Sequence, residues 1–258
     1  MTRIAVVIPA RNEELALPFV LAELPRARAP MVVVVDNGSR DRTAEVAHTA
    51  GAVVVREERR GYGRACLAGI AWLLDGAGLV PPLGDDDVIV FLDADHSDFP
   101  EDLELVVAPI LAREAEFVLG SRVLGGATWR ALLPQAWLGN RLACTLMRWL
   151  FGARYTDLGP FRALRIGTLR SLAMADTGFG WTIEMQLKAK SRDVRALEVP
   201  VRYRPRIGES KITGTLAGTV RAGGKILGWI LYWRCTTWIG CSSRKPATRK
   251  PLPGSQPS

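Results

Sequence analysis

The chain has 258 residues, is 48% hydrophobic and 23% charged, and carries a formal net charge of +8. It is long enough to bury a real core, as one large domain or one domain with appendages, but no apolar run approaches bilayer-spanning length. Cys66, Cys144, Cys235 and Cys241 show neither metal-ligand nor disulfide-framework spacing, and the apolar start Ile4 to Ile8 runs straight into Arg11, Glu13 and Glu14. These features exclude a disulfide scaffold and a signal peptide and lead us to expect a cytoplasmic protein.

Strand-like runs at Ile4 to Pro9, Met31 to Asp36, Ala52 to Val55, Val88 to Leu92 and Glu116 to Leu119 alternate with helical patterns. The helices are expected at Glu14 to Leu24, Arg42 to Ala50, Gly63 to Ala77 and Glu101 to Ala112. Val32-Val33-Val34-Val35 has no polar alternation, as in a parallel strand covered on both faces. The layout predicts a doubly wound α/β fold with a mostly parallel sheet, in which ligands bind beyond the carboxyl ends of the strands. Past Arg122 come a basic amphipathic stretch from Trp129 to Phe151, a helix at Gly180 to Lys190 and a strand from Val194 to Tyr203 broken by Pro200.

The charge excess is confined to one end. Through Glu209 the chain is neutral; after it stand eight basic residues and no acidic one. Trp229, Trp233 and Trp238 lie among Ile226, Leu227 and Ile230, giving an expected C-terminal amphipathic helical segment over 216–241, followed by a disordered basic tail over 242–258. An anionic partner is expected there, either a membrane surface or a nucleic acid. The aromatics sit in an apolar helical run and are not interleaved as stacking platforms, which favours the membrane over nucleic acid.

The most informative junction is Val88 to Leu92 ending on Asp93-Ala94-Asp95. In an extended segment side chains at i and i+2 point the same way, so two carboxylates converge past the strand end. A Mg²⁺ or Mn²⁺ ion fits between them, since it takes one or two carboxylates and completes its shell with phosphate oxygens and water. A solvated acidic turn is the competing reading. Other strand ends carry Pro9-Ala10-Arg11-Asn12-Glu13 and Asp36-Asn37-Gly38-Ser39-Arg40-Asp41. Glu13 or Asp36 could hold ribose hydroxyls or a base N–H, while Ser39 and Asp41 are expected to cap the following turn and helix. Gly61-Tyr62-Gly63 is a weak signal, and no phosphate-binding P-loop is present. His48 reads as a surface residue and His96 as a satisfied loop histidine behind the acidic pair.

Taken in order, Pro9…Asn12-Glu13, Asp36-Asn37-Gly38-Ser39, Gly61…Gly63, Asp93-Ala94-Asp95…Pro100, Gly120-Ser121-Arg122, Asp157 to Arg162, Gly178 to Met185 and Arg206…Lys211 form a pattern. It resembles the family-2 glycosyltransferases, most closely the dolichyl-phosphate mannosyltransferase-like, polyprenyl-phosphate branch, over roughly residues 4–215. The resemblance implies an A-type glycosyltransferase fold in a catalytic domain over 1–215, with a nucleotide-sugar half (1–122) and an acceptor half (123–215). It implies inverting transfer from a GDP-mannose- or UDP-glucose-type donor to a polyprenyl phosphate at the cytosolic membrane face. Pro9, Arg11, Glu13, Asp36, Asn37 and Ala94 then belong to the donor site, and Asp93 and Asp95 to the metal. Arg122, Arg206 and Lys211 match phosphate-contacting positions, and Asp95, Asp157 and Arg122 are the catalytic candidates.

The sequence also departs from that branch. The segment Asp157-Leu158-Gly159-Pro160-Phe161-Arg162 is one residue shorter than usual, four residues after Arg130 stands Pro134, and Asn37 replaces an aspartate. A soluble hydroxyl acceptor with Asp157 as base is therefore the alternative. A nucleotidyltransferase is disfavoured because its glycine-rich N-terminal loop is absent.

Overall fold

A computed structural model of the chain describes residues 2–75, 82–127 and 134–208, together with Gly224 and Gly228. In chain order the first half holds β1 (Ile4–Ala10), α1 (Leu17–Glu23), β2 (Met31–Asp36), α2 (Thr43–Thr49), β3 (Val53–Arg56), α3 (Tyr62–Leu74), β4 (Val88–Phe91) and α4 (Leu103–Leu111). The second half holds β5 (Phe117–Ser121), α5 (Pro134–Phe151), β6 (Arg162–Arg165), α6 (Ile166–Leu172), α7 (Trp181–Ser191) and β7 (Ala196–Pro200). The strands form one seven-stranded sheet in the order β3-β2-β1-β4-β6-β5-β7. β3, β2, β1 and β4 are mutually parallel, β6 runs antiparallel to both β4 and β5, and β7 pairs parallel to β5.

The continuous apolar strands are buried on both faces, as their lack of alternation requires. Val6, Ile8, Val32 and Val34 pack against α1, Ala47 of α2 and Val106, Val107 and Ile110 of α4. Ala5, Val7, Val33 and Val35 face the opposite layer, built from Ala65, Cys66 and Ile70 of α3 and Trp181 and Met185 of α7. A smaller cluster joins Ala143 and Met147 of α5 to Ile183 and Leu187 of α7.

The doubly wound, mostly parallel architecture is the one expected, with element boundaries moved by a few residues. Two elements were not anticipated, β6 and α6. Arg162-Ala163-Leu164-Arg165 is short, carries no β-branched residue and has charge at both ends, yet Arg162 to Leu164 are buried between β4 and β5. Apart from Gly224 and Gly228, the C-terminal amphipathic segment and the basic tail lie outside the described residues.

Candidate active site

Strand order turns away on either side of the β1–β4 pair, and in an open α/β sheet the crevice at such a point receives the ligand. A cavity of about 420 Å³ lies there. Its walls come from Pro9 at the end of β1 and Arg11 and Glu13 after it, Asn37 after β2, Arg60, Tyr62 and Arg64 around the start of α3, Asp93 to Asp95 after β4, Thr177 to Phe179, and Arg206. Gly63 makes this closure possible. A Cβ there would lie 2.0 Å from the Asp176 carbonyl oxygen, whereas glycine lets Gly63 N donate to Gly178 O at 3.2 Å and Arg64 N to Thr177 O at 3.2 Å.

Asp93 and Asp95 both line the cavity, as expected from their spacing. Tyr62 Oη donates to Asp93 Oδ1 at 3.0 Å. Ser97 N and Ser97 Oγ donate to Asp95 Oδ1 at 2.9 and 2.6 Å, fixing that carboxylate in a tight turn. Asp95 Oδ2 is buried and receives no well-formed hydrogen bond, but the Arg206 guanidinium is in direct ion-pair contact with it. Burial raises the Asp93 carboxyl above its ordinary value, opposed by the charge of Arg206. Two carboxylates on the wall of one cavity call for a positive charge. Among the described residues no third carboxylate, histidine or cysteine joins them in a metal-ligand cluster. Two hard oxygen donors on the wall of this cavity suit Mg²⁺ or Mn²⁺, whose remaining positions go to phosphate and water.

Arg206 is brought to Asp95 by backbone pairing. Tyr203 forms a β-bridge with Asp98. Arg204 N donates to Ser97 O at 2.9 Å and Ile207 N to Asp95 O at 3.0 Å. Arg204 also reaches Glu23, whose Oε1 lies 2.8 Å from His96 Nε2, so His96 is satisfied in its loop. Lys211 lies outside the described residues.

Arg122 and Asp157 form a second centre that does not line the cavity. Arg122 donates through its backbone N and Nε to Asp157 Oδ2 at 2.9 and 2.8 Å, and through Nη2 to Oδ1 at 2.8 Å. Burial pushes the fully buried Asp157 carboxyl upward, but the charge and hydrogen bonds of Arg122 outweigh it and hold the group below its usual range. The Arg122 guanidinium also lies 5.1 Å from the centre of the Tyr203 ring. Beside this pair, and unforeseen in the sequence, is Asp98, buried with neither carboxylate oxygen hydrogen-bonded. Burial, then the negative charge of Asp93, pushes its carboxyl up to about 8 against the pull of Arg122.

The other expected donor-site residues divide. Pro9, Arg11, Glu13 and Ala94 line the cavity. Asn37 lines it too, but its amide is engaged, donating to Glu57 O and Arg59 O at 2.8 and 2.9 Å and accepting from Gly61 N at 2.8 Å. Asp36 is buried beneath the wall and accepts from Ser39 N at 3.0 Å. Ser39, expected to cap α2, instead accepts from Asn12 N at 3.0 Å, while Asp41 accepts from Thr43 N at 3.1 Å. Arg11 Nε is buried without a hydrogen bond, and burial together with the charges of Arg60 and Arg40 lowers its pKa. That combination calls for an anion. Tyr62, Arg60 and Arg64 were missed as site residues; the Gly61-x-Gly63 pair was the only sign of them.

The sequence profile of glycosyl transferase family 2 matches residues 5–171, from β1 into α6. The chain belongs to that family. Two relatives of this family-2 glycosyltransferase extend along nearly their whole length. The undecaprenyl-phosphate mannosyltransferase of Micrococcus luteus is 32% identical over 84% of this chain and 90% of its own. The dolichyl-phosphate hexose transferase of Haloferax volcanii is 32% identical over 87% of this chain and 92% of its own. In fold, the chain is similar to the glucosyl-3-phosphoglycerate synthase of Mycobacterium tuberculosis, crystallised with Mn²⁺, uridine diphosphate and glucosyl-3-phosphoglycerate. The TM-score is 0.71 at 23% identity, covering 91% of this chain and 80% of that one.

Proposed function

We propose that this glycosyltransferase moves a hexose, with inversion, from a nucleoside-diphosphate donor in the β1–β4 cavity to a polyprenyl phosphate at a membrane surface. The donor reading rests on the cavity chemistry. Asp93 and Asp95 would hold Mg²⁺ or Mn²⁺ at one wall, and Arg11, Arg60, Arg64 and Arg206 offer positive charge to an anionic ligand. Such an ion, when bound, neutralises charge on the departing diphosphate. Glu13 at the end of β1 is placed to accept from the nucleoside, and Arg206 can pass from Asp95 to a phosphate oxygen without leaving the cavity wall.

The observation that carries the acceptor reading is the state of Asp157. Both its oxygens are committed to Arg122, and its carboxyl is held below the ordinary range. A carboxylate so engaged is a poor general base for a hydroxyl acceptor. A phosphate acceptor arrives already ionised and needs no base, while Arg122 supplies a rigid guanidinium for it. The names of the Micrococcus and Haloferax relatives point to the same acceptor class. Among the described residues no helix is long and apolar enough to cross a membrane.

The test is to incubate the protein with labelled nucleotide sugars, Mg²⁺ or Mn²⁺, and polyprenyl phosphate, then partition the products between organic solvent and water. Label in the organic phase is the expected result. Transfer only to a water-soluble hydroxyl would overturn the acceptor assignment.

A further inference from the structure

The helix α5 is amphipathic in the opposite sense to a helix whose outer face meets water. On its inner side Ala143 and Met147 are buried against α7, and Cys144 is buried beside them. Residues at i, i+4 and i+11 share one side of a helix, and Leu138, Leu142 and Trp149 stand at that spacing on the outer side. They are 62%, 47% and 79% exposed. An isolated exposed leucine is ordinary, whereas an apolar stripe with an exposed tryptophan marks an interaction surface. Arg141 and Arg148 are exposed along one flank of this stripe, and α5 contains no acidic residue. Arg141 also lies over the Trp137 ring at 5.7 Å.

We propose that the outer face of α5 is a docking surface for a lipid bilayer containing anionic headgroups. The occupant follows from chemistry. Apolar side chains with a tryptophan enter the headgroup–acyl boundary, and arginines beside them meet lipid phosphates. A soluble partner matched to the same face would need an apolar strip edged by acid. The inner side of α5 also ties this surface to the acceptor centre. Asn140 Oδ1 accepts from Leu158 N at 2.9 Å, and Asn140 Nδ2 donates to Thr156 O at 3.3 Å, on both sides of Asp157. The bilayer plane therefore lies about one helix diameter, on the order of 10 Å, from the loop that holds Arg122. A phosphate carried on a lipid in that plane would approach Arg122 from the membrane side. This last link rests on the acceptor reading above; the docking surface does not.

The full chain is tested by co-sedimentation with phosphatidylcholine vesicles, with and without phosphatidylglycerol, as wild type, L142E/W149E and R141Q/R148Q. Loss of vesicle affinity in L142E/W149E by about tenfold or more, with unchanged melting temperature, supports the proposal. R141Q/R148Q should lose affinity only for the phosphatidylglycerol-containing vesicles. Unchanged binding in L142E/W149E overturns it. So does a melting temperature several degrees lower without vesicles, which would mean that the face packs on the rest of the chain. A wild-type dimer dissolved by L142E/W149E in light scattering also overturns it, by assigning the face to a second copy. Transfer to a short-chain isoprenyl phosphate in detergent is measured in parallel. If wild type makes no lipid product but its vesicle binding still depends on Leu142 and Trp149, the surface stands and the acceptor assignment falls.

Discussion

Asp98→Asn separates burial from function through the pH dependence of stability. Asp98 is buried with both oxygens lacking hydrogen bonds, and its carboxyl is pushed up to about 8 in the folded chain. Unfolded, it should titrate near the ordinary aspartate value of about 3.9. The folded-state pKa is the higher one, so folding retains a proton that unfolding releases. The wild type therefore loses stability as pH rises from about 4 to about 8, at up to about 1.4 kcal/mol per pH unit from this group. Asparagine has no such proton. The difference in unfolding free energy between Asp98→Asn and wild type should thus shift in favour of the variant by roughly 2–3 kcal/mol from pH 5 to pH 7. A constant offset from burying the amide does not affect that slope, and titrating groups that do not interact with Asp98 cancel in the difference. The assay is urea denaturation of both proteins across this range, in chelator so that no metal ion adds a counter-charge beside Asp98. A difference that stays flat between pH 5 and pH 7 would refute the assignment of a neutral, unpartnered Asp98.

Asp95→Asn retains an oxygen for Ser97 but presents a neutral ligand, so Mn²⁺ titration should show severe loss of binding and turnover should collapse while the melting curve persists. Tyr62→Phe removes one hydrogen bond to Asp93, worth about 0.5–1.5 kcal/mol, and should weaken Mn²⁺ binding several-fold in the same titration. Asp157→Asn leaves the Arg122 guanidinium without its partner and should cost about 3–5 kcal/mol in urea denaturation. Chelator should abolish transfer by the wild type and Mg²⁺ or Mn²⁺ should restore it; full activity in chelator would remove the metal from the reaction.

Much of the fold was legible because its central strands are continuous β-branched runs, a signal that depends only on local composition. The Asp93–Asp95 junction was singled out from its place past a strand, and both residues do line the cavity, although β4 stops at Phe91 and a turn, not an extended segment, positions Asp95. What could not be read was anything set by distant packing. β6 is a strand because β4 and β5 leave room for it, not because Arg162-Ala163-Leu164-Arg165 favours one. Arg206 and Asp95 were each singled out, yet their contact depends on a bridge between residues far apart in sequence. Asn37 was assigned to the ligand because its neighbours in the motif suggest it, while its amide in fact binds the loop after β3. In α5 the basic amphipathic pattern was visible, but which side faces outward was not. Small Ala143 marks the side that can approach another helix closely, and that clue is clear only once α7 lies against it.

The pairing of Tyr203 to Ile207 along the Asp95 to Asp98 turn has a consequence for when the site exists. β7 is the edge strand of the sheet and is paired only to β5. The cation against Asp95 arrives with the chain that leaves this edge, more than a hundred residues after the carboxylate it meets. During synthesis the four parallel strands can associate and bury their valines while the acidic pair still lacks that counter-charge. In the finished protein, fraying of β7 would remove Arg204 from Glu23 and Arg206 from Asp95 together. The donor site can thus fail before the core does, and loss of transfer on heating should precede loss of helix content.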